Sequence, residues 1–343
     1  MSAWRDHVRH PSGRLSADRP PTISVVIKSY NHVYYVAQSI QSILDQSFAD
    51  FELIITDDGS RDGTPEIIRQ FSDPRIDFEA LPENRGLSYA MNACLARASG
   101  EFIAILNSDD LAHPERLERQ LAYLRATPQA AAVFNVPRIM SEDGDDHPGL
   151  TVFAEPLAFP DFTLPTWLRQ FFLRGNCLCA PAAMVRRSAY LAAGPYDRRL
   201  TNLQDLDMWI RLLKSGELHV LPDRLISFRV RDNNANLSAP RVDSQLRSNF
   251  EYAQVLKRVL DFGEAQIRQA FAPEVASLAQ SPTMSKAQLA AEIALQAGGV
   301  PHRLFALHTL YAAARSDADF QRLKEVTGST NVFSLPVDPT LRF

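Results

Sequence analysis

The sequence predicts an α/β protein, with a mostly parallel sheet covered by helices on both faces and a helical C-terminal appendage. Short β-branched apolar runs alternate with segments of helical apolar spacing over most of the chain. Two of these runs end in acidic pairs, Asp57-Asp58 and Asp109-Asp110. After Pro240 only helical spacing continues.

Ile23 to Ile27 reads as a buried strand, followed by a helix from Val33 to Asp45 and a strand from Phe51 to Thr56. Thr64-Pro65-Glu66 opens the next helix, with Thr64 as its cap and proline in the first turn. Arg75 to Ala80 is a third strand. From Leu87, the residues Ala90, Met91, Cys94, Leu95 and Ala98 recur at helical steps until Gly100 stops them. Phe102 to Leu106 is the central strand, Pro114 starts another helix, and Ala130 to Val136 is a further strand. Met140 to Pro165 reads as an excursion carrying a hairpin or loop. Ala182 to Arg187, a helix from Gln204 to Lys214, and Arg224 to Arg231 return to the sheet. Beyond Pro240, Val242, Leu246, Phe250, Ala253, Leu256 and Leu260 keep helical spacing, as do Leu289, Ile293, Leu304, Leu307, Leu310 and Tyr311. The expected domains are therefore a flexible segment 1–21, an α/β domain 22–239 and a helical region 240–343.

The 343 residues, 45% of them apolar, suffice for one large α/β domain and an appendage. A net charge of −4 gives no basic field to recruit nucleic acid. Three cysteines, Cys94, Cys177 and Cys179, form neither a disulfide framework nor a zinc pattern, and buried thiols in a reducing cytosol are expected. Met1 to Pro21 lacks the apolar core of a signal peptide, and no stretch reaches the roughly 20 apolar residues of a membrane span. The expected setting is cytoplasmic, with peripheral docking at the inner membrane left open.

Acidic residues at the carboxyl ends of buried strands face the crevice where open α/β sheets bind ligands. Two such ends point to a nucleotide and a divalent cation. Four blocks surround them in order: Ser24-Val25-Val26-Ile27-Lys28-Ser29-Tyr30-Asn31, Asp57-Asp58-Gly59-Ser60-Arg61-Asp62-Gly63-Thr64, Asn84-Arg85-Gly86-Leu87-Ser88-Tyr89-Ala90-Met91-Asn92, and Asn107-Ser108-Asp109-Asp110. A fifth, Gln204-Asp205-Leu206-Asp207-Met208-Trp209-Ile210-Arg211, follows on a helix. Taken together, these blocks resemble the family 2 glycosyltransferases, which have the GT-A fold, a Rossmann-like nucleotide-diphospho-sugar transferase domain. The resemblance covers about Thr22 to Ser238 and leaves the helical tail out.

The resemblance implies a site. Ser29, Tyr30 and Asn31 would hold base and ribose, Asp57 would accept the uracil imide N–H, and Asp58 would hold the ribose side or the loop. Arg85, before a helix N-terminus, would meet the diphosphate. Ser88 and Asn92 lie one turn apart and read most simply as a solvated helix face. Asn107 and Ser108 belong to the donor site, and Asp109, the second acidic position of the family's Asp-x-Asp, would bind Mn²⁺ or Mg²⁺ through hard oxygens. Asn107 stands where that pattern has its first Asp, and it brings no charge. Asp205 is the expected general base. It shares a face with Met208, Trp209 and Leu212, whereas Asp207 has Arg211 one turn away. Gln204 replaces the family's Glu beside the base. Arg231, in Phe228 to Asn234, stands where many members have His and could clamp phosphate. Asn176 lies where the acceptor-side loop should pass, and Trp167, Phe171 and Phe172 read as a core-facing helix rather than a sugar-stacking surface.

The expected activity is inverting, metal-dependent transfer of a hexosyl group from a nucleotide sugar, a UDP-sugar first among them. The acceptor would be a hydroxyl on a glycan or lipid-linked molecule. A homodimer through the C-terminal helices is open. The alternatives are a degenerate nucleotide-binding module, kept alive by Asn107, Gln204 and Arg231, and a sugar nucleotidylyltransferase, disfavoured because no Gly-rich basic loop follows the first strand.

Overall fold

A computed structural model describes residues 19–146, 163–231, 242–278 and 283–327 of the chain. It has two compact units, Met1–Ser244 and Gln245–Phe343. Of the regions read above, residues 1–18, 147–162 and 232–241 lie outside the described residues.

The first unit begins with β1 (Ile23–Ser29), α1 (Val36–Leu44), β2 (Phe51–Asp57), α2 (Thr64–Arg69), β3 (Ile76–Ala80), α3 (Leu87–Arg97) and β4 (Phe102–Asn107). There follow β5 (Leu111–Ala112), α4 (Arg116–Ala126), β6 (Ala130–Asn135), β7 (Arg138–Met140), α5 (Leu164–Arg174), β8 (Met184–Arg186), α6 (Arg187–Ala193), α7 (Gln204–Leu212), β9 (Glu217–Leu221) and β10 (Ile226–Arg229). The main sheet runs β3-β2-β1-β4-β8-β6-β9. Strands β1 to β4 pair in parallel, as alternating strands and helices require. Strand β8 inserts antiparallel between β4 and β6. The central strands are buried on both faces, which is why they read as continuous apolar runs rather than alternating ones.

Three local expectations change. Strand β10 does not rejoin the main sheet; it forms a second sheet of order β5-β10-β7 beside the site. Strand β9, an edge strand, lies between the expected helix and the expected last strand, in a stretch given no element above. Gly63, at φ 93°, caps α2 in place of Thr64. The Thr64 hydroxyl is taken instead by Asp62 and by the His32 N–H, so it joins loops rather than starting a helix.

Helix α5 buries Trp167, Phe171 and Phe172, as a core-facing reading requires. The Trp167 indole N–H reaches the Leu218 carbonyl at 2.6 Å, fixing the helix against β9. Arg116 is fully buried at the start of α4 and donates to the carbonyls of Ile105 and Ala183, one on each side of the β4–β8 seam. Burial pulls its guanidinium down to about 9. Cys94, Cys177 and Cys179 are free, and burial raises all three thiols, which suits packing and opposes reactivity.

The second unit is helical: α8 (Val242–Leu256), α9 (Glu264–Ala270), α10 (Ala272–Ala276), α11 (Lys286–Ala297), α12 (Val300–Ala313) and α13 (Asp317–Thr327). Ser285 and Gln288 form a reciprocal capping box at the start of α11. The inward face of α12 is Phe305, Ala306, Thr309 and Leu310, while Leu304 and Tyr311 of the expected apolar set are exposed. Among the described residues, no helix is long and apolar enough to cross a membrane.

Candidate active site

Parallel pairing of β1 with β2 and β4 brings three strand ends to one edge. In register, Lys28 lies beside Asn107 and Ser29 beside Asp57. The loops that leave this edge interlock. Both Asp57 carboxylate oxygens accept from Ser60, from its main-chain N–H at 2.8 Å and its hydroxyl at 2.6 Å. Asn31, at φ 52°, accepts the Arg61 N–H on its side chain and donates its own N–H to the Ser60 hydroxyl. Asp58 accepts the N–H groups of Arg85 and Gly86 at 2.7 and 2.9 Å, which pins the entry to α3. Burial raises its carboxyl against these two bonds. Gly59 holds φ 73°, and a Cβ there would lie 2.4 Å from the Glu83 carbonyl carbon. The loops can touch only because that side chain is absent.

Asp57, Asp58 and Asn31, the groups expected to meet a nucleotide, thus bond the loops at this strand edge to one another. Ser29 differs, because its hydroxyl is buried and has no hydrogen-bond partner among the described residues. A buried polar atom left in this state costs free energy unless a ligand takes it. Tyr30 is 46% exposed at the rim, available as a stacking surface.

Asp109 is the centre of a second cluster. Its Oδ2 lies 3.7 Å from His32 Nε2 and 3.7 Å from Arg231 Nε. Ser108 holds the other imidazole nitrogen of His32 at 2.7 Å. Burial lowers the His32 pKa, with the Asp109 charge opposing it, so the ring is favoured neutral. Asp109 caps no helix, because α4 starts only at Arg116. Behind it, the amide of Asn107 is committed at both ends: Oδ1 accepts from the Lys28 ammonium at 2.7 Å, and Nδ2 donates to Asp110 at 2.8 Å. Asp110 is fully buried and also accepts the Arg229 N–H. Burial, with the Asp109 charge, pushes its carboxyl well up. The Arg229 guanidinium, lying 4.9 Å from the Tyr35 ring centre, donates to the carbonyls of Asp109 and Glu142. The small sheet is thereby tied to the back of the Asp109 loop.

The third contributor is α7. Asn92 and Ser88 of α3 are buried and hold the segment leading to it, rather than forming a solvated face. The Asn92 amide bonds both main-chain groups of Tyr196, and the Ser88 hydroxyl donates to the Leu200 carbonyl. On α7, Asp207 is consumed by Arg211, at 2.7 Å. Asp205 is not, and no hydrogen bond reaches its carboxylate among the described residues. Burial raises its carboxyl above the ordinary aspartate value, and the Lys28 charge pulls the other way. A half-buried carboxylate with a raised pKa and no structural duty is suited to take a proton. Beside it, the Gln204 Oε1 is buried and likewise has no partner among the described residues.

The Arg85 guanidinium lies 4.1 Å from the Tyr89 ring centre and donates to its hydroxyl at 3.0 Å. Asn176 accepts the Leu178 N–H in a local turn. Sequence reasoning missed Lys28 and His32. Lys28 carried a signal, being the one charged residue in the run Ile23–Ser29. His32 carried none beyond adjacency to Asn31.

Among the described residues, no group of three His, Cys, Asp or Glu side chains could hold a metal ion alone. Asp109, with neutral His32 alongside, offers the single-carboxylate attachment that suits a divalent cation sharing its remaining positions with substrate phosphates and water. The donor set fits a cation of that kind.

A family model described as glycosyl transferase family 2 matches residues 24–191. The chain is 33% identical over 202 residues to EpsE of Bacillus subtilis (strain 168), named as a glycosyltransferase, covering 57% of this chain and 68% of that one. It is 30% identical over 238 residues to TuaG of the same organism, named as a glycosyltransferase of teichuronic acid biosynthesis, covering 68% of this chain and 88% of that one. Among solved structures, S. aureus TarS 1–349 in complex with UDP-GlcNAc matches with a TM-score of 0.58 at 19% identity, over 90% of this chain and 80% of that one. At that identity the likeness shows a common fold, GT-A with a helical C-terminal region.

Proposed function

The chain belongs to glycosyl transferase family 2, and on that premise we propose that it is an inverting, metal-dependent hexosyltransferase acting on a UDP-sugar and a hydroxyl acceptor. The transferase activity itself follows from family membership. The observation that carries the finer reading is the contrast on α7, where Asp207 is spent on Arg211 and Asp205 is held ready with a raised pKa.

Residues 22–239 carry the activity in this reading, and 240–343 form a separate helical region. The nucleotide lies along the Ser29 to Asn31 loop, where the vacant Ser29 hydroxyl and the exposed Tyr30 ring supply a polar and a stacking contact. Asp57 and Asp58 keep the loops closed around it. Asp205 orients the acceptor hydroxyl and takes its proton, and the oxygen attacks the anomeric carbon opposite the leaving diphosphate. Arg231 offers two-pronged hydrogen bonding to phosphate beside Asp109. Asp109, with His32, would hold Mn²⁺ or Mg²⁺, which when bound supplies positive charge for the departing diphosphate.

The uridine preference rests on the UDP-GlcNAc complex of the structurally similar TarS. Polysaccharide assembly, with a glycan or lipid-linked acceptor in a cytoplasmic setting, rests on the named role of TuaG. The test compares Asp205→Asn with wild type in transfer from UDP-sugars and in UDP titration. Loss of transfer with UDP binding intact supports the base role. Equal loss of binding removes Asp205 from it.

A further inference from the structure

The strand that opens the fold ends in a charge the proposed chemistry has not used. Lys28 occupies the penultimate position of β1, in a run whose preceding residues Ile23 to Ile27 are fully buried. Placing an ammonium there is costly unless something takes its charge. Its hydrogen bond goes to a neutral group, the Asn107 amide oxygen at 2.7 Å. Among the described residues, no carboxylate lies within ion-pair distance of it. The Asn107 amide is turned oxygen-first toward Lys28 because its nitrogen is held by Asp110. The orientation of the amide and the place of the ammonium are therefore fixed together.

The partner residue makes this informative. With Asp at position 107, the ammonium would be neutralised in place by an ion pair. With Asn, the hydrogen bond is kept and no carboxylate pairs with the ammonium among the described residues; Asp110 and Asp205 feel its charge without bonding it, so it can still take an anion. Lys28, His32 and Arg231 surround the same strand edge: the His32 imidazole feels both cations together with Asp109. An ammonium has three donors, and one is committed to Asn107.

We propose that Lys28 is a direct cationic contact for the diphosphate of the donor nucleotide, with Asn107 as the residue that positions it. The role rests on the nucleotide-sugar reading given above. Lys28 here acts as a point charge on the departing phosphate, alongside the forked guanidinium of Arg231. The anion is recognised by protein groups that need no metal, so its contribution persists when divalent ions are removed.

The experiment measures UDP and uridine, and GDP and guanosine, by calorimetric titration in EDTA, with wild type, Lys28→Met and Asn107→Asp. The wild type should bind one diphosphate more tightly than its nucleoside. Lys28→Met should lose about tenfold in diphosphate affinity, the scale of one charge-assisted hydrogen bond, and leave nucleoside affinity unchanged. Asn107→Asp, which neutralises the ammonium without removing it, should show the same selective loss while retaining the fold. Equal losses for nucleoside and diphosphate, or no loss for either, would overturn the role while leaving the transferase reading intact. A wild type that binds a diphosphate only when Mn²⁺ replaces EDTA would overturn the Lys28 role alone, and one that binds neither diphosphate with or without Mn²⁺ would overturn the nucleotide-sugar reading, and the Lys28 role with it.

Discussion

The Asn92 side-chain amide closes on both main-chain groups of Tyr196, donating to its carbonyl at 2.9 Å and accepting its N–H at 2.8 Å. The middle of α3 is thereby fixed to the segment that leads to Asp205, while the entry to the helix is held by Asp58 through Arg85 and Gly86. Helix α3 is a strut between the nucleotide loops and the base.

Asn92→Ala should therefore separate binding from turnover. Two buried main-chain groups lose their partner, at a cost of about 2–3 kcal/mol in chemical denaturation. The Tyr196 to Leu200 segment is released, but Asp58 still holds the nucleotide side. We expect kcat to fall about tenfold or more with UDP affinity changed less than threefold, on the scale of a small misplacement of a catalytic group. Parallel falls in kcat and UDP affinity would show that α3 acts as general scaffold only.

Asp205→Asn should stabilise the protein at neutral pH while it abolishes transfer. The folded-state pKa of Asp205 is raised by burial, so the folded state holds this proton more tightly than the unfolded one. Ionising the group therefore costs stability, from the unfolded aspartate pKa upward and fully above the folded pKa. The Asn variant does not bear that cost. Melting temperatures should favour it at pH 7, with the advantage shrinking toward about pH 4, the ordinary aspartate value. No advantage at pH 7 would show that the carboxylate is stabilised by a partner.

The same pKa sets the acid limb of the transfer reaction. Activity should fall as pH drops through the folded pKa of Asp205, and this limb should lie above that of an ordinary aspartate. Lys28 pulls that pKa down, so Lys28→Met should move the limb to higher pH. A pH–rate profile of kcat/KM for both proteins checks this, and an unmoved limb would separate Lys28 from the base.

Asp207 should behave in the opposite way to its neighbour. It is 1% exposed and bonded to Arg211, which also donates to the carbonyls of Ala193 and Gly194. Removing the carboxylate leaves a guanidinium short of its charge partner, so Asp207→Ala should destabilise by about 3 kcal/mol. The folded fraction should keep its pH profile, and a lost acid limb would make Asp207 the base instead.

Gly59→Ala should cost more than the removal of any nearby hydrogen bond. The added Cβ meets main-chain atoms of Glu83 and Asn84 that cannot rotate away, at a φ of 73° that already disfavours a side chain. The loops from β2 and β3 must separate. Stability should fall by about 2–3 kcal/mol and UDP affinity should fall with it. Unchanged UDP binding would place the nucleotide away from this loop pair.

The apolar runs and the helical spacing were enough to read β1 to β4 and α1 to α4, because a strand buried on both faces and a helix buried on one each leave a local pattern in the chain. Strand β10 was legible as a strand but not in its sheet, since pairing with β5 and β7 joins segments far apart in sequence. Asp109 and Asp205 stood out by residue type and position. Asn92 and Ser88 did not, because polar residues one turn apart look alike whether water or a distant main chain receives them.

What the sequence determined by itself is the alternation that forces a parallel sheet, the acidic strand ends at its carboxyl edge, and the motif order that identifies the family. Only the tertiary structure decided which polar groups are spent and which are free to act. Asp57, Asp58, Asn107 and Asp207 close loops and pair charges, whereas Ser29, Lys28 and Asp205 keep hydrogen-bonding capacity unspent among the described residues. The physical reason is that a hydrogen bond satisfies a group from any partner within reach. Those partners are set by the folded chain, not by the residue's own place along it.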